Sequence, residues 1–470
     1  MQEPLLESSE PTVTSESQHE SSAFSPSPRQ PYKQLNYRWP DREFVRFYKK
    51  PGRDRFNEAA LSFRSLGSEK INFSKRFEMV ICAVFLFVPR IVVFTILFLL
   101  KIALTKLIMI GLPNQNRPYT TPQVVGWRRA LFMVGLVLLR GWYLCFGILW
   151  VESRGKRASQ KEAPIRVFAP HTGWLDTIVH CDWPITDPLH PVVNDSMKAF
   201  PIITPTEPLF VDRTTADAKK FMKECIIQRA TYQPKDPNGR RWDPIMINPQ
   251  GCCSAACLTN FKTGAFSAGL PVQPVYMEYP EKIDLYSWQW IDGNKNHSPL
   301  KALMLGFLRY RCKLICHYLD VYYPSQAEID DPQLYAHNVR AVLAEHSKLP
   351  IIDTCFEDTI FLDKLGSKYK LDPNYCLIEY LRLRNTYSEL NSRKCMAIIE
   401  QYLDKYLQKL DDKKTAEVSF ANFVKLVGQP MSVVDDYFRD LRYFNADFVS
   451  LPTVLEAELR WLQNGRSSFL

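Results

Sequence analysis

Between Met79 and Leu100 the chain reads MVICAVFLFVPRIVVFTILFLL, two ten-residue apolar blocks joined by Pro89 and Arg90. Together they are long enough to span a bilayer, but a central arginine costs about 3 kcal/mol there and proline interrupts the helical hydrogen bonds. A kinked span or a re-entrant hairpin accommodates both residues. Two buried helices of a soluble protein fit less well, because so few polar residues interrupt the blocks. A second apolar stretch, ALFMVGLVLLRGWYLCFGILWV from Ala130 to Val151, carries Arg140 and Gly141 at its middle. Trp127, Trp142 and Trp150, with Arg128 and Arg129 in front, are placed as interfacial anchors. This stretch is expected to lie in the membrane without having to cross it.

The rest of the chain is built to fold. Apolar residues make up 46% and aromatic residues 13% of 470 positions, ample for one large domain and an accessory region. The first thirty residues, rich in Ser, Glu and Pro, have little to bury and are expected to form a disordered tail. A formal charge of +9 suits an anionic partner such as nucleic acid, a membrane surface or a phosphorylated substrate. The basic residues are dispersed and no nucleic-acid-binding module is present, which argues against the first. Nor is there a G-x-S-x-G elbow or a P-loop to suggest a hydrolase or an NTPase. The twelve cysteines are scattered, as expected for reduced thiols facing the cytosol. CCSAAC (Cys252, Cys253, Cys257) lacks a second Cys/His pair at finger spacing, so no metal site is expected.

After residue 160, β-branched or apolar runs alternate with helical ones. IRVFA, PVV, PLFVD, PIMIN, VQPVYMEY and LDVYY read as strands, and TTADAKKFMKECIIQRATY as the clearest helix. The alternation predicts an α/β fold with a mixed sheet flanked by helices. In such sheets, sites gather where strands end. HTGWLD stands at such an end, with Pro170 holding Ala169 extended and the Thr172 hydroxyl able to cap a following helix. On one regular helix, His171 and Asp176 would diverge by about 140°. They meet if His171 sits in the preceding turn, where Asp176 fixes one imidazole nitrogen and leaves the other as a general base.

Three further pieces follow in order. PLFVDR ends a strand at Arg213, whose planar fork of donors suits phosphate. INPQGCCSAACLTNFKTGAF turns at Gly251 and carries Lys262 and Gly264, and VQPV opens the next strand. Alone, each reads more readily as structural: a surface arginine, a turn, a solvated lysine. In this order they resemble the four blocks of the glycerolipid acyltransferase superfamily, which is PlsC-like. The resemblance covers about residues 70 to 360. FKTGAF, PVQPVYMEYP, DPQLYAHNVRAVLAE and IIDTCFEDT are similar to the habits of its lysophosphatidylcholine acyltransferase group.

That resemblance implies transfer of an acyl group from acyl-CoA, a co-substrate, to the hydroxyl of a lysophospholipid, with no cofactor. It implies His171 as general base and Asp176 as its orienting partner. Arg213, Gln250, Gly251 and Lys262 would bind substrate. One departure stands out: where the superfamily has Glu-Gly-Thr, this chain has Gln250, Gly251 and Cys252. Glutamine keeps the size and an acceptor oxygen but loses the charge.

Beyond residue 370 the sequence becomes helical and polar. LDDKKTAEVSFANFVKLV resembles a helix-loop-helix calcium hand, an accessory of this acyltransferase group. With Asp411 as position one, Lys413, Ala416 and Asn422 fall at positions three, six and twelve, so calcium is not expected to bind. The expected organisation is a tail over 1–70, membrane segments over 71–151, an acyltransferase domain over 152–365 and an EF-hand-like region over 366–470. The implied setting is the endoplasmic reticulum membrane, with the Golgi and lipid droplets as further stations. The implied partners are membrane phospholipid, lysophospholipid and acyl-CoA. Two other readings stand beside this one: a catalytically impaired lipid-binding scaffold, and an enzyme acting on lysophosphatidic acid or glycerol 3-phosphate.

Overall fold

The structure is a computed structural model that describes residues 73–112, 120–173, 176, 188–195, 205–211, 216–236, 239–251, 254, 257–280 and 299–351. It also describes 355, 397, 400, 401, 404, 417–419 and 448–450. Helix α1 (Phe73–Ile81) runs through a π-turn (Cys82–Leu86) into α2 (Phe87–Met109). The π-turn falls where the Pro89 ring would otherwise press on the Phe85 carbonyl one turn earlier, so the ladder loosens there and the helix continues. Arg76–Met109 is the one helix among the described residues long and apolar enough to cross a membrane, at 34 residues. At 1.5 Å per residue it is about 50 Å long, against roughly 30 Å of hydrocarbon.

The second apolar stretch does not stay helical. Helix α3 (Trp127–Cys145) ends at Gly147 and the chain enters strand β1 (Ile148–Arg154). Gly147 has φ 75°, and a Cβ there would come within 2.5 Å of the Arg309 carbonyl. Only glycine turns the chain in that space.

The remaining sheet strands are β2 (Ile165–Ala169), β3 (His190–Asn194), β4 (Leu209–Val211), β5 (Ile245–Ile247), β6 (Val272–Glu278) and β7 (Cys312–Tyr318). Their order is β1-β7-β6-β2-β5-β3-β4. Pairing is parallel throughout except between β6 and β7. The expected mixed sheet is therefore present, with one strand moved. LDVYY contributes only an isolated bridge between Tyr322 and Val272, and the strand lies earlier, over CKLICHY. Those seven residues carry a lysine and a histidine and fewer aromatic positions than LDVYY, but their alternate side chains fill the core on one face.

Helices cover both faces, so central β2 is buried along its whole length and reads as an uninterrupted apolar run apart from Arg166. Arg166 donates to the Ala158 carbonyl at 2.6 Å. On one face α2, α3 and α5 (Pro299–Phe307) enclose Phe132, Leu136, Phe146, Val275, Met277 and Leu314. On the other, α4 (Ala216–Thr231) and α7 (Pro332–Ser347) enclose Met222, Ile226, Val167, Val339 and Leu343. A short α6 (Gln326–Asp330) with a Ser325/Glu328 capping box precedes α7.

The apolar hairpin of α2 and α3 is thus a wall of the domain core on its inner side. Its outer side shows Val84, Phe85, Val88, Val92, Ile96, Leu99, Val134 and Val137 to the surroundings. An ionic joint fixes its foot. Arg129 on α3 holds both oxygens of Asp243 at 2.9 and 3.0 Å, Arg240 adds a third bond at 2.7 Å, and buried Glu207 accepts from Gln123 N at 2.6 Å.

In the C-terminal region, β8 (Glu417–Ser419) pairs antiparallel with β9 (Phe448–Ser450). The rest of the expected EF-hand-like region, apart from single positions, lies outside the described residues, as does the expected N-terminal tail.

Candidate active site

Three neighbouring parallel strands, β6, β2 and β5, end at one place in the sheet, and the residues just beyond each of them form the site. His171 follows β2 after a cis Ala169–Pro170 bond. Gln250 and Gly251 follow β5, and Tyr279 follows β6.

His171 Nδ1 lies 2.7 Å from Asp176 Oδ2, as the spacing predicts. The Thr172 hydroxyl donates to Asp176 Oδ1. The helix it was expected to cap falls, apart from Gly173 and Asp176, outside the described residues. The carboxylate itself collects the backbone donors, Thr172 N at 2.7 Å and Gly173 N at 3.1 Å. His171, Thr172 and Gly173 thereby gather around one buried carboxylate, 1% exposed, while the His171 side chain remains 23% exposed. The bond to Asp176 occupies Nδ1 and leaves Nε2 as the ring nitrogen on the exposed side of the imidazole.

Tyr279 was missed in the sequence. Its hydroxyl donates to Asp176 Oδ1 at 2.7 Å. Burial first, and then the neighbouring Asp176 charge, push its ionisation well above the ordinary tyrosine range, so it stays a donor. The available signal was the alternation along VQPVYMEY: Val275, Met277 and Tyr279 share one side of β6 and pack into the same core cluster.

Gln250 is wholly buried. Its Oε1 accepts from His171 N at 2.8 Å, and its Nε2 donates to the Cys257 carbonyl at 3.3 Å and to Thr259 Oγ1 at 3.1 Å. Both ends of the amide are used inside the chain, tying the loop after β5 to the backbone of His171. Ser254 N reinforces the tie by donating to the His171 carbonyl at 2.6 Å. Gly251 adopts φ 69° in the turn between them, a conformation glycine takes without strain.

Lys262 is exposed and begins the 3₁₀ turn Thr263–Ala265, with its backbone N–H on Pro249 O at 2.8 Å. The structure thus brings His171, Asp176, Gln250 and Gly251 together, with Lys262 at the far end of the same loop. Arg213, Cys252 and Cys253 lie outside the described residues. Among the described residues no group of His, Cys, Asp and Glu is arranged to hold a metal ion.

With a His-x4-Asp pair at the end of a central strand, in an α/β domain walled by an apolar helical hairpin, the chain is related to glycerolipid acyltransferases of the lysophosphatidylcholine group. Its relatives within that class are lysophosphatidylcholine acyltransferases. Lysophosphatidylcholine acyltransferase 2B of Rattus norvegicus is 31% identical over 362 residues, covering 75% of this chain and 65% of its own length. Lysophosphatidylcholine acyltransferase 1 of Homo sapiens is 30% identical over 376 residues, 78% of this chain and 66% of its own length. Lysophosphatidylcholine acyltransferase 1 of Danio rerio is 35% identical over 263 residues, 55% of this chain and 48% of its own length. The matched part is therefore less than two thirds of each of these relatives. No family model matches the chain. The solved structure of the 1-acyl-sn-glycerophosphate (LPA) acyltransferase PlsC from Thermotoga maritima aligns with 56% of this chain and 97% of its own at 14% identity and a TM-score of 0.33, a likeness on which no conclusion rests.

Proposed function

We propose that the chain is a membrane-bound lysophospholipid acyltransferase that uses acyl-CoA, with lysophosphatidylcholine as the favoured acceptor. The observation that carries this proposal is the 2.7 Å contact between His171 Nδ1 and the buried Asp176 carboxylate. The names of the relatives supply the substrate class.

In the proposed reaction, His171 Nε2 takes the proton from the acceptor hydroxyl as its oxygen attacks the thioester carbonyl carbon. The C–S bond then breaks, and the proton on Nε2 passes to the departing CoA sulfur. Asp176 stabilises the imidazolium that exists between these two transfers. Neither a cofactor nor a metal is needed for this chemistry. Arg213 and Lys262 are assigned to the anionic groups of the substrates, by charge and by their place in the order of motifs. Gln250 does not stand against activity, since its bonds support the base from behind.

The long apolar helix and the exposed outer side of the hairpin support a lipid location. The endoplasmic reticulum, with the Golgi and lipid droplets as further stations, is the compartment assigned, and residues 366–470 are assigned as an accessory region. The test is transfer of labelled acyl groups from acyl-CoA to a panel of lysophospholipids in membranes carrying the parent or His171→Ala. Product from the parent alone supports the enzyme and ranks the headgroups, lysophosphatidic acid and glycerol 3-phosphate included. Equal background from both, at matched expression, overturns the enzyme in favour of a lipid-binding scaffold.

A further inference from the structure

Tyr279 stands 103 positions from Asp176 in the chain, yet its hydroxyl is on the carboxylate oxygen opposite the one that faces His171. From this geometry we infer that Tyr279 is a positioning residue, which sets the basicity of His171 by holding and partly neutralising Asp176. The inference deepens the proposed function and rests on it for its catalytic consequence.

The carboxylate divides its two oxygens between two tasks. Oδ2 faces the imidazole and the backbone donors of Thr172 and Gly173; Oδ1 takes the Thr172 and Tyr279 hydroxyls. Every donor except Tyr279 comes from the same short loop and moves with it. Tyr279 alone is anchored elsewhere, at the end of β6, with its ring packed against the core cluster that contains Val275 and Met277. It therefore ties the dyad to the rigid sheet. Among the described residues, the titratable groups facing the tyrosine are Asp176 from the loop and Cys312 from the start of β7. The Thr172 side chain also hydrogen-bonds the tyrosine, and the hydroxyl proton is directed at the carboxylate.

The electrostatic sign follows. A donor on Oδ1 draws negative charge away from Oδ2 and weakens its pull on an imidazolium proton. Removing the donor makes His171 more basic; strengthening it makes His171 less basic. A more basic His171 is protonated over more of the working pH range and gives up its proton to the leaving sulfur less readily, so turnover falls.

The decisive measurement is the titration of the His171 imidazole by NMR in the full chain in nanodiscs, with the ring ¹³C-labelled and its signal assigned by loss in His171→Gln. Three proteins are compared: the parent, Tyr279→Phe, and a variant with 3-fluorotyrosine at position 279, whose hydroxyl is a stronger donor. The expected midpoints are ordered, with Phe about half a pH unit above the parent and fluorotyrosine below it. In acyl-transfer assays the acid limb of the rate profile is expected to move the same way. The Phe variant is expected to lose about tenfold in kcat with KM little changed. A tyrosine that merely fills space would lower thermal stability and leave the His171 midpoint unmoved, and that result overturns the inference. The fluorotyrosine variant retains the ring and hydroxyl, so it decides the matter if Tyr279→Phe does not fold. Since the titration needs no turnover, absence of acyl transfer in the parent would overturn the proposed function while leaving the coupling of Tyr279 to His171 to be judged by the midpoints.

Discussion

Arg90, at the centre of the most apolar helix, donates through Nη1 to the Phe307 carbonyl at 2.8 Å and to the Arg309 carbonyl at 2.5 Å, 217 and 219 positions away. Its Nη2 reaches the Tyr310 carbonyl at 3.2 Å. The arginine closes the C-terminal end of α5, where helix carbonyls have no partners of their own. Arg128 repeats the device on the carbonyls of Ile108 and Ile110, and Arg140 on those of Ile148 and Leu149. Charges that look misplaced in an apolar stretch are thus turned toward protein backbone.

Replacing Arg90 with methionine makes the helix more apolar and orphans those carbonyls. We expect the domain to lose roughly 2 to 4 kcal/mol and several degrees of thermal midpoint. Melting of the detergent-solubilised protein checks this. An unchanged midpoint would show that water or lipid serves the carbonyls equally well.

Asp176→Asn keeps the shape of the dyad and removes its charge. The new amide donates to Nδ1 and so holds the proton on Nε2, the atom that must accept one. Turnover is expected to fall by about 10² to 10⁴. Activity within threefold of the parent would contradict a role for Asp176 in holding the tautomer.

Gln250→Glu restores the residue type that the superfamily motif carries, yet it is expected to impair this protein. A carboxylate has no hydrogen to give the Cys257 carbonyl or Thr259, and it would be wholly buried. Burial raises the ionisation of such a group, because the charged form is the one disfavoured. In its neutral form the side chain regains one donor. Stability is therefore expected to be lower than in the parent at pH 8 and to recover as the pH falls toward 5. Unfolding midpoints across that range, compared with those of Gln250→Ala, check both the sign and the direction.

His190 provides a second pH test, away from the site. Its Nδ1 is 2.5 Å from the Thr206 carbonyl, and burial is the main reason that its ionisation is pushed down to about 3, against the pull of Asp243. The unfolded chain takes up a proton near pH 6.5, whereas the folded chain does not until about 3. Between those values the unfolded state binds more protons, so this residue removes stability progressively as the pH falls. His190→Asn keeps a donor for Thr206 and cannot titrate. It is expected to show a shallower loss of thermal midpoint between pH 7 and 5 than the parent. Equal slopes would refute the assignment.

Much of this was legible in the chain because it is local. The strands IRVFA and VQPVYMEY are marked by apolar density, and the helix over Ala216–Thr231 by its length and composition. The His171–Asp176 pair could be read because five positions are few enough for a turn to close. Where local signals compete, the pattern misled. Ile148–Val151 read as the end of a membrane segment because the first four residues of this strand are as apolar as such a helix over so short a span. LDVYY has strong β-branched and aromatic content, but the pairing along β6 was taken by CKLICHY.

The sequence by itself determined which groups are on offer: a histidine with its carboxylate at a strand end, beside apolar helices. Only the tertiary structure decided what surrounds that pair. Gln250 reaches His171 across 79 positions, Tyr279 reaches Asp176 across 103, and Arg90 finds its carbonyls across 217 or more. Such partners share no periodicity with the groups they serve. They become neighbours because the crossovers of a parallel sheet bring distant strand ends side by side, and a linear pattern does not encode that adjacency.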